Sequence, residues 1–267
     1  MPLAVCATPI GNLEDVTLRV LRELGEADLV LCEDTRRTRI LLDRHGVTAR
    51  LLSYHEHNEA ARSAQVFPEL VAGARVALVS DAGLPGVNDP GARLVAAALE
   101  AGVPVTVLPG ASAVETALVA SGFHAERYQF LGYLPRGEAA LAALWGELAR
   151  WPWPAVAFES PRRLPATLRS LANALPERSV AVCRELTKQF EEVVRGPAAE
   201  VAERFPQPPK GEITLVLDAA DAVVGDELPA IEAVAELVAA GLARRQAADL
   251  VARLTGVRRN TLYRGSL

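Results

Sequence analysis

The stretch ALVSDAGLPGVNDPG, Ala77 to Gly91, decides how the chain is read. An apolar run ends in Ser80-Asp81, and three glycines (83, 86, 91) and two prolines (85, 90) follow. An ordinary strand-to-helix connection takes about two to six residues. This loop is longer and stiffer than a change of direction requires, so it reads as holding something. Before it, RVALVSD (75–81) has the continuous apolar character of a strand buried on both faces of a parallel sheet. After it, GARLVAAALEAG repeats apolar residues at helical spacing and ends at a glycine, a usual helix stop. The same alternation recurs outward. LAVCATP (3–9), DLVLCED (28–34), ARLLSY (49–54) and VPVTVLPG (103–110) read as strands, with helical patterns between them. A βαβαβα order predicts an α/β domain on a mostly parallel sheet, over 1–121.

A second block, 122–220, carries strand patterns YQFLGYL (128–134), PAVAFES (154–160), SVAVCREL (179–186), EEVVRG (191–196) and GEITLVLD (211–218). The last three follow one another with little helix between, which predicts a mixed or antiparallel sheet. From 228 to 267 the chain reads as helix, tight turn, helix and a short third helix, the layout of a helix-turn-helix. That tail carries six arginines against three acidic residues, +3, within a chain of net charge −5; the remainder is therefore −8. A basic tail on an acidic body points to an anionic partner, the plainer account being a solvated helix face.

Half of the 267 residues are apolar, ample for two cores. No apolar run approaches the roughly 18 residues of a membrane span. The N-terminus does not read as a signal peptide. Cys6, Cys32 and Cys183 are distant and lie in apolar runs, so buried thiols are expected, and a cytoplasmic protein.

Ligands of an open parallel sheet bind beyond the carboxyl ends of its strands. Three loops there carry unusual chemistry: ATPIGNLED (7–15), SDAGLPGVNDPG (80–91) and PGASAVE (109–115). Glycine lets backbone approach a ligand, and proline limits the entropy lost on binding. The first loop has one glycine where a dinucleotide fingerprint needs three, and no Gly-Lys-Ser/Thr follows. A cofactor without a polyphosphate fits better.

Eight ordered segments carry a resemblance: ATPIGNLEDVTLRVL, CEDTRRTRILL, SDAGLPGVNDPGARLV, LPGASAVETALVASG, FLGYLPR, FESPRRL, CRELTKQFEEVVRGP and KGEITLVL. Together they resemble the bacterial small-subunit ribosomal RNA methyltransferase I family. It belongs to the tetrapyrrole-methylase-like (class III) S-adenosylmethionine enzymes and methylates a cytidine ribose 2′-hydroxyl in the decoding region. The resemblance implies two α/β domains with S-adenosylmethionine in the cleft between them, a small C-terminal helix-turn-helix and a homodimer. It implies cofactor contacts at Asp81, Ala82, Gly83 and Leu84, at Ser112 and Ala113, and from the second domain at Phe158, Leu186, Ile213 and Thr214. This sequence departs from the family's pattern at Arg162 (histidine is more frequent), Asn88 (serine is usual) and Ala243 (a serine cap is typical).

Methyl transfer to a ribose hydroxyl needs alignment, and a general base or a cation for the developing alkoxide. CEDTRRTR supplies Glu33 and Asp34, then Arg36, Arg37 and Arg39; RELTKQFEE supplies Arg184, Glu185, Lys188, Glu191 and Glu192. Either acid of the first cluster can be the base, and Lys188 or Arg36 the cation; Asp34 and Lys188 are singled out as catalytic. The competing account is surface ion pairing among these charges. Asn12 either orients the ribose or makes a turn. His55 and His57 lack a third metal ligand, and capping of a helix by Asn58 is the plainer account; no catalytic metal is expected. Trp151 and Trp153 read as packing at a domain edge rather than a base-stacking platform. Arg36, Arg162 and Arg163, with Arg244, Arg245, Arg258 and Arg259 of the tail, are the expected RNA contacts, gripping phosphate of small-subunit RNA presented by an assembled particle. Two other functions stay open: a tetrapyrrole methylase, and an RNA-binding protein without catalysis.

Overall fold

The computed structural model describes residues 2–86, 90–220 and 227–266; Asn88 lies outside them. The first sheet contains β1 (Leu3–Cys6), β2 (Leu29–Cys32), β3 (Leu51–Ser53), β4 (Val76–Val79) and β5 (Val105–Leu108). Its order is β3-β2-β4-β1-β5, and every pairing is parallel. Strands β1, β2 and β4 are buried at every position, which is why their sequences run apolar without alternation. The connecting helices are α1 (Leu18–Glu26), α2 (Thr35–Arg44), α3 (Glu59–Val71) and α4 (Ala92–Glu100).

Helix α5 (Ala113–Ser121) leaves the first sheet and packs on the second, against β7, β8, β9 and β10. That sheet comprises β6 (Gln129–Tyr133), β7 (Ala155–Glu159), β8 (Ser179–Arg184), β9 (Glu192–Pro197) and β10 (Ile213–Leu217), in the order β6-β7-β10-β8-β9. Only β6–β7 is parallel, so the sheet is mixed, as its sequence predicts. Helices α6 (Glu138–Leu148), α7 (Leu164–Ala174) and α8 (Ala198–Arg204) belong to this half. Helix α8 is a short α-helix between β9 and β10, where the sequence pattern suggests little helix. Strand alternation divides β10. Ile213, Leu215 and Leu217 enter the core with Trp145 and Leu168, whereas Val216 joins the cluster under α5 that holds Val114, Ala117 and Leu118. The apolar face of α5 therefore closes the second sheet while its N-terminus stays with the loops of the first. That one helix sets the cleft.

The tail comprises α9 (Glu227–Ala239), α10 (Arg244–Thr255) and α11 (Arg259–Gly265), with a core of its own around Val234, Ala247, Val251 and Leu262. Ala243 offers α10 no side-chain cap, and Arg244 instead bonds the Ser266 carbonyl at the far end of the unit. Among the described residues, no helix is long and apolar enough to cross a membrane.

Candidate active site

The loops at the carboxyl ends of β1 and β4 are tied to one another. Thr8 and Gly83 exchange both backbone hydrogen bonds (2.8 and 3.0 Å), and the Thr8 hydroxyl donates to the Ser80 carbonyl at 3.0 Å. Gly83 has φ +80, the left-handed region that favours glycine. Across the cleft, residues 185–188 turn sharply: Glu185 and Thr187 have φ of +53 and +65, uncommon for side chains of this size. Several bonds hold the turn. Glu185 N–H donates to the Glu212 carbonyl at 3.0 Å, Thr187 N–H to Glu191 at 2.5 Å, and the Thr187 hydroxyl accepts the Asn12 N–H at 3.0 Å. Asn12 is thus a turn residue, its side chain accepting from Glu14 N–H.

These two loops touch at Gly11. A Cβ there would lie 2.5 Å from Lys188 Cγ, 2.7 Å from the Thr187 hydroxyl and 2.8 Å from the Leu186 carbonyl. Gly11→Ala is expected to cost about 2 kcal/mol through overpacking, because a backbone carbonyl cannot swing aside. Urea denaturation compared with a Gly146→Ala control, in helical backbone of α6 where a Cβ meets nothing within 4 Å, checks this.

Between the loops lies a pocket of about 210 Å³. Asp81, Ala82 and Lys188 line it, as do Thr8, Arg37, Thr38, Ile40 and Glu212. Asp81 receives Arg37 at 3.1 Å and the Asp34 N–H at 3.0 Å. Lys188 Nζ bonds Glu185 at 2.8 Å and Glu212 at 2.9 Å. Burial opposes the lysine's charge, but those two hydrogen bonds outweigh it and hold the pKa above its ordinary value. Beside the pocket an apolar cluster joins the two halves: Ile10, Ala82 and Ala113 meet Phe158 and Leu186. Phe158 packs edge-to-face on Phe130 and Tyr133, at 5.0 and 5.6 Å. Thr214, paired with Phe158 across β7–β10, is buried.

Several expected contacts have their side chains or backbone groups engaged with other parts of the protein. Ile213 faces the α6–α7 core, since its neighbour Thr214 occupies the other side of the strand. Leu84, partly buried, packs with the first-domain core around Tyr54 and Leu94. Gly83 spends its backbone on Thr8, and the Ser112 hydroxyl is held by Glu115. Asp34 caps α2 and is gripped by Arg36 at 2.7 and 3.0 Å; the Arg36 hydrogen bond pulls its carboxyl down to about 2, and both its oxygens are engaged. Glu33 differs: burial pushes its carboxyl above the usual range.

Arg163 is no free phosphate ligand. It pairs with the buried Glu159 at 2.5 Å and donates to the carbonyls of Leu134 and Pro135 at 3.1 Å. Arg162 is exposed. In the tail, Arg259 pairs with Asp249 at 2.5 Å and Arg244 holds Ser266, while Arg245 and Arg258 are exposed. Arg253 and Arg264, which the sequence reading left out, are also exposed. Asn58 does not cap α3 with its side chain; it accepts from His55 N–H and donates to the Ser53 carbonyl. Trp151 packs on the second core, and Arg127 stacks 5.0 Å over Trp153. Among the described residues no His, Cys, Asp and Glu group has metal-binding geometry.

Residues 2–202 match the family Tetrapyrrole (Corrin/Porphyrin) Methylases, and 226–265 match the RsmI C-terminal HTH domain. A protein named ribosomal RNA small subunit methyltransferase I from Mesorhizobium japonicum is 42% identical, over 98% of this chain and 90% of its own. The chain belongs to the ribosomal RNA small subunit methyltransferase I family. Members so named from Halalkalibacterium halodurans (39% identical, 98% of this chain, 93% of that one) and Thermotoga maritima (42%, 80% and 97%) agree. The fold of this family member is also that of a uroporphyrin-III-C-methyltransferase from Thermus thermophilus, at TM-score 0.58, 22% identity and 81% and 93% coverage. A diphthine synthase gives 0.62 at 15% identity, covering 81% and 89%.

Proposed function

We propose that this protein methylates small-subunit ribosomal RNA from S-adenosylmethionine, at the ribose 2′-hydroxyl of a cytidine in the decoding region. It does so in the cytoplasm, as a homodimer, on an assembled particle, with methylase domains 1–121 and 122–220 and a tail at 228–267. One observation carries the reading. In a chain alike to that family over nearly its whole length, the loops that the resemblance singles out converge on one cleft between two sheets.

The cleft suits the methyl donor. Its wall is small and apolar at Ala82 and Ala113, faced by Phe158 and Leu186, and the N-terminus of α5 has no side-chain cap, leaving N–H groups for an acceptor. Bound there, the donor supplies an electrophilic methyl group on a sulfonium. The chain's own residues do the rest. The polar pocket beside that wall takes the target nucleotide, with Ile40 and Arg37 at its rim, 60% and 56% exposed. Lys188 stabilises charge as it develops on the 2′-oxygen. Glu33, half-buried beside the pocket residues Asp81 and Arg37 with its carboxyl raised by burial, is the alternative proton acceptor to Asp34. Likeness to solved tetrapyrrole enzymes is one of fold alone and favours no tetrapyrrole substrate.

The test is incubation with labelled S-adenosylmethionine and undermethylated small ribosomal subunits, followed by mapping of ribose methylation. Label in one cytidine ribose supports the reading. Label on a tetrapyrrole precursor offered in a parallel incubation, or binding without transfer, overturns it. Exposed Arg245, Arg253, Arg258 and Arg264 make up the tail's phosphate grip. Subunit affinity will fall steeply with salt, and Arg258→Ala will reduce the log–log slope by about one. An unchanged slope would remove that arginine from the interface.

A further inference from the structure

The segment SYHEHNE, Ser53 to Glu59, enters neither the pocket nor the cleft, yet it ends in a carboxylate with two unusual partners. Glu59 opens α3 and is partly buried. Its Oε1 accepts the Tyr54 hydroxyl at 3.2 Å and the backbone N–H of Gly91 at 3.0 Å. Tyr54 is 1% exposed and also bonds Ser63 at 3.0 Å. Gly91 closes the loop that begins at Ser80 and is the first residue before α4. It has φ +127, and a Cβ would stand 2.6 Å from Leu78 Cδ2. Backbone and space both demand glycine there, and its side chain cannot cap the helix. The loop's first end is fixed by the Thr8–Gly83 exchange. Its second end is fixed from another helix.

We propose that Glu59 is a positioning residue for the methyl-donor loop, setting where residues 80–86 stand by holding Gly91, whose neighbour Ala92 packs beside Gly86. This rests on the reading of the cleft given above. The carboxylate touches no substrate; it acts through the loop. Both bonds need only an acceptor oxygen, so an amide can replace the acid. A charge role would not allow that.

The experiment compares Glu59→Ala, Glu59→Gln and Tyr54→Phe in the full chain. Hydrogen exchange at the Gly91 amide, without ligand, reads the anchor itself. Calorimetry with S-adenosylhomocysteine reads donor affinity, and steady-state assay reads KM for S-adenosylmethionine against KM for subunits. Loss of one hydrogen bond of about 1.4 kcal/mol corresponds to about tenfold. Glu59→Ala is therefore expected to speed Gly91 exchange and weaken S-adenosylhomocysteine about tenfold, leaving KM for subunits within twofold. Glu59→Gln restores both. Tyr54→Phe lowers Tm but leaves donor affinity near wild type, which separates loop positioning from general stability. Equal donor affinity in Glu59→Ala and wild type would overturn the proposal, as would a Glu59→Gln variant no better than alanine. If the wild-type chain itself bound no S-adenosylhomocysteine, the reading of the cleft would fall, and the proposal for the donor with it. The Gly91 exchange rates would still report whether Glu59 anchors the loop.

Discussion

Arg163→Ala is expected to lower the unfolding free energy by about 3 kcal/mol, the low end for breaking a buried pair. The Glu159 side chain is 0% exposed and Arg163 is 27% exposed. Glu159 keeps the Thr167 hydroxyl at 2.6 Å and the Ser160 N–H at 2.5 Å, so the carboxylate is not stripped of every partner. What it loses is its counter-charge, in a place water does not reach. The Leu134 and Pro135 carbonyls lose their donor in the same step. Urea denaturation gives the loss. The double change Glu159→Gln with Arg163→Met should recover most of it, because the surviving charge is then gone. Subunit affinity, measured on folded protein, should be unchanged. A variant as stable as wild type but weaker on RNA would restore Arg163 to the phosphate interface and leave Glu159 without an account.

This arginine shows where reading from residues stops. ESPRRL presents two adjacent arginines of equal chemistry, and only the path of Leu134 and Pro135, about thirty residues earlier, makes one a strut and leaves the other exposed. The parallel sheet was legible because burial on both faces writes itself as uninterrupted apolar runs, as in LVLC and VALV. The loops that meet at the cleft were legible because glycine and proline mark backbone that must be placed accurately. Ile213 against Thr214 was decidable in principle. Strand alternation puts their side chains on opposite faces of the sheet, so only one of the two turns its side chain to the cleft. The closeness at Gly11 was not decidable, because it depends on a loop 175 residues away that adopts positive φ at two ordinary residues. The capping and pairing of Asp34 had a local cause the sequence did contain: an Asp one residue before a helix, followed two places on by arginine, tends to cap and pair.

Lys188 is the other side chain whose removal should be costly, and here the loss falls on rate. Lys188→Met is expected to reduce kcat by about 10²–10³-fold, the scale for deleting a group aimed at developing negative charge. KM for S-adenosylmethionine should move much less, because the apolar wall of Ala82, Ala113, Phe158 and Leu186 is untouched. The surroundings explain why the cation is dependable. Its pKa is raised, so the lysine stays protonated until the pH passes its ordinary value near 10.5, and it contributes no limb to a rate profile at neutral pH. Any stabilisation from its pairing is likewise fully present at neutral pH and is lost only as the pH rises through that raised value. Glu185, pulled below the usual carboxylate range chiefly by the Lys188 hydrogen bond, is the counterpart; its contribution is present above its ordinary pKa and is lost on acidification. Removing the lysine leaves Glu185 and Glu212 facing one another, so some loss of stability accompanies the loss of rate. Lys188→Met with Glu185→Gln separates the two effects. The added change relieves the repulsion and should recover stability while kcat stays low. Should kcat return with stability, Lys188 is a brace for the 185–188 turn, and the positive charge next to the 2′-oxygen must be sought at Arg37.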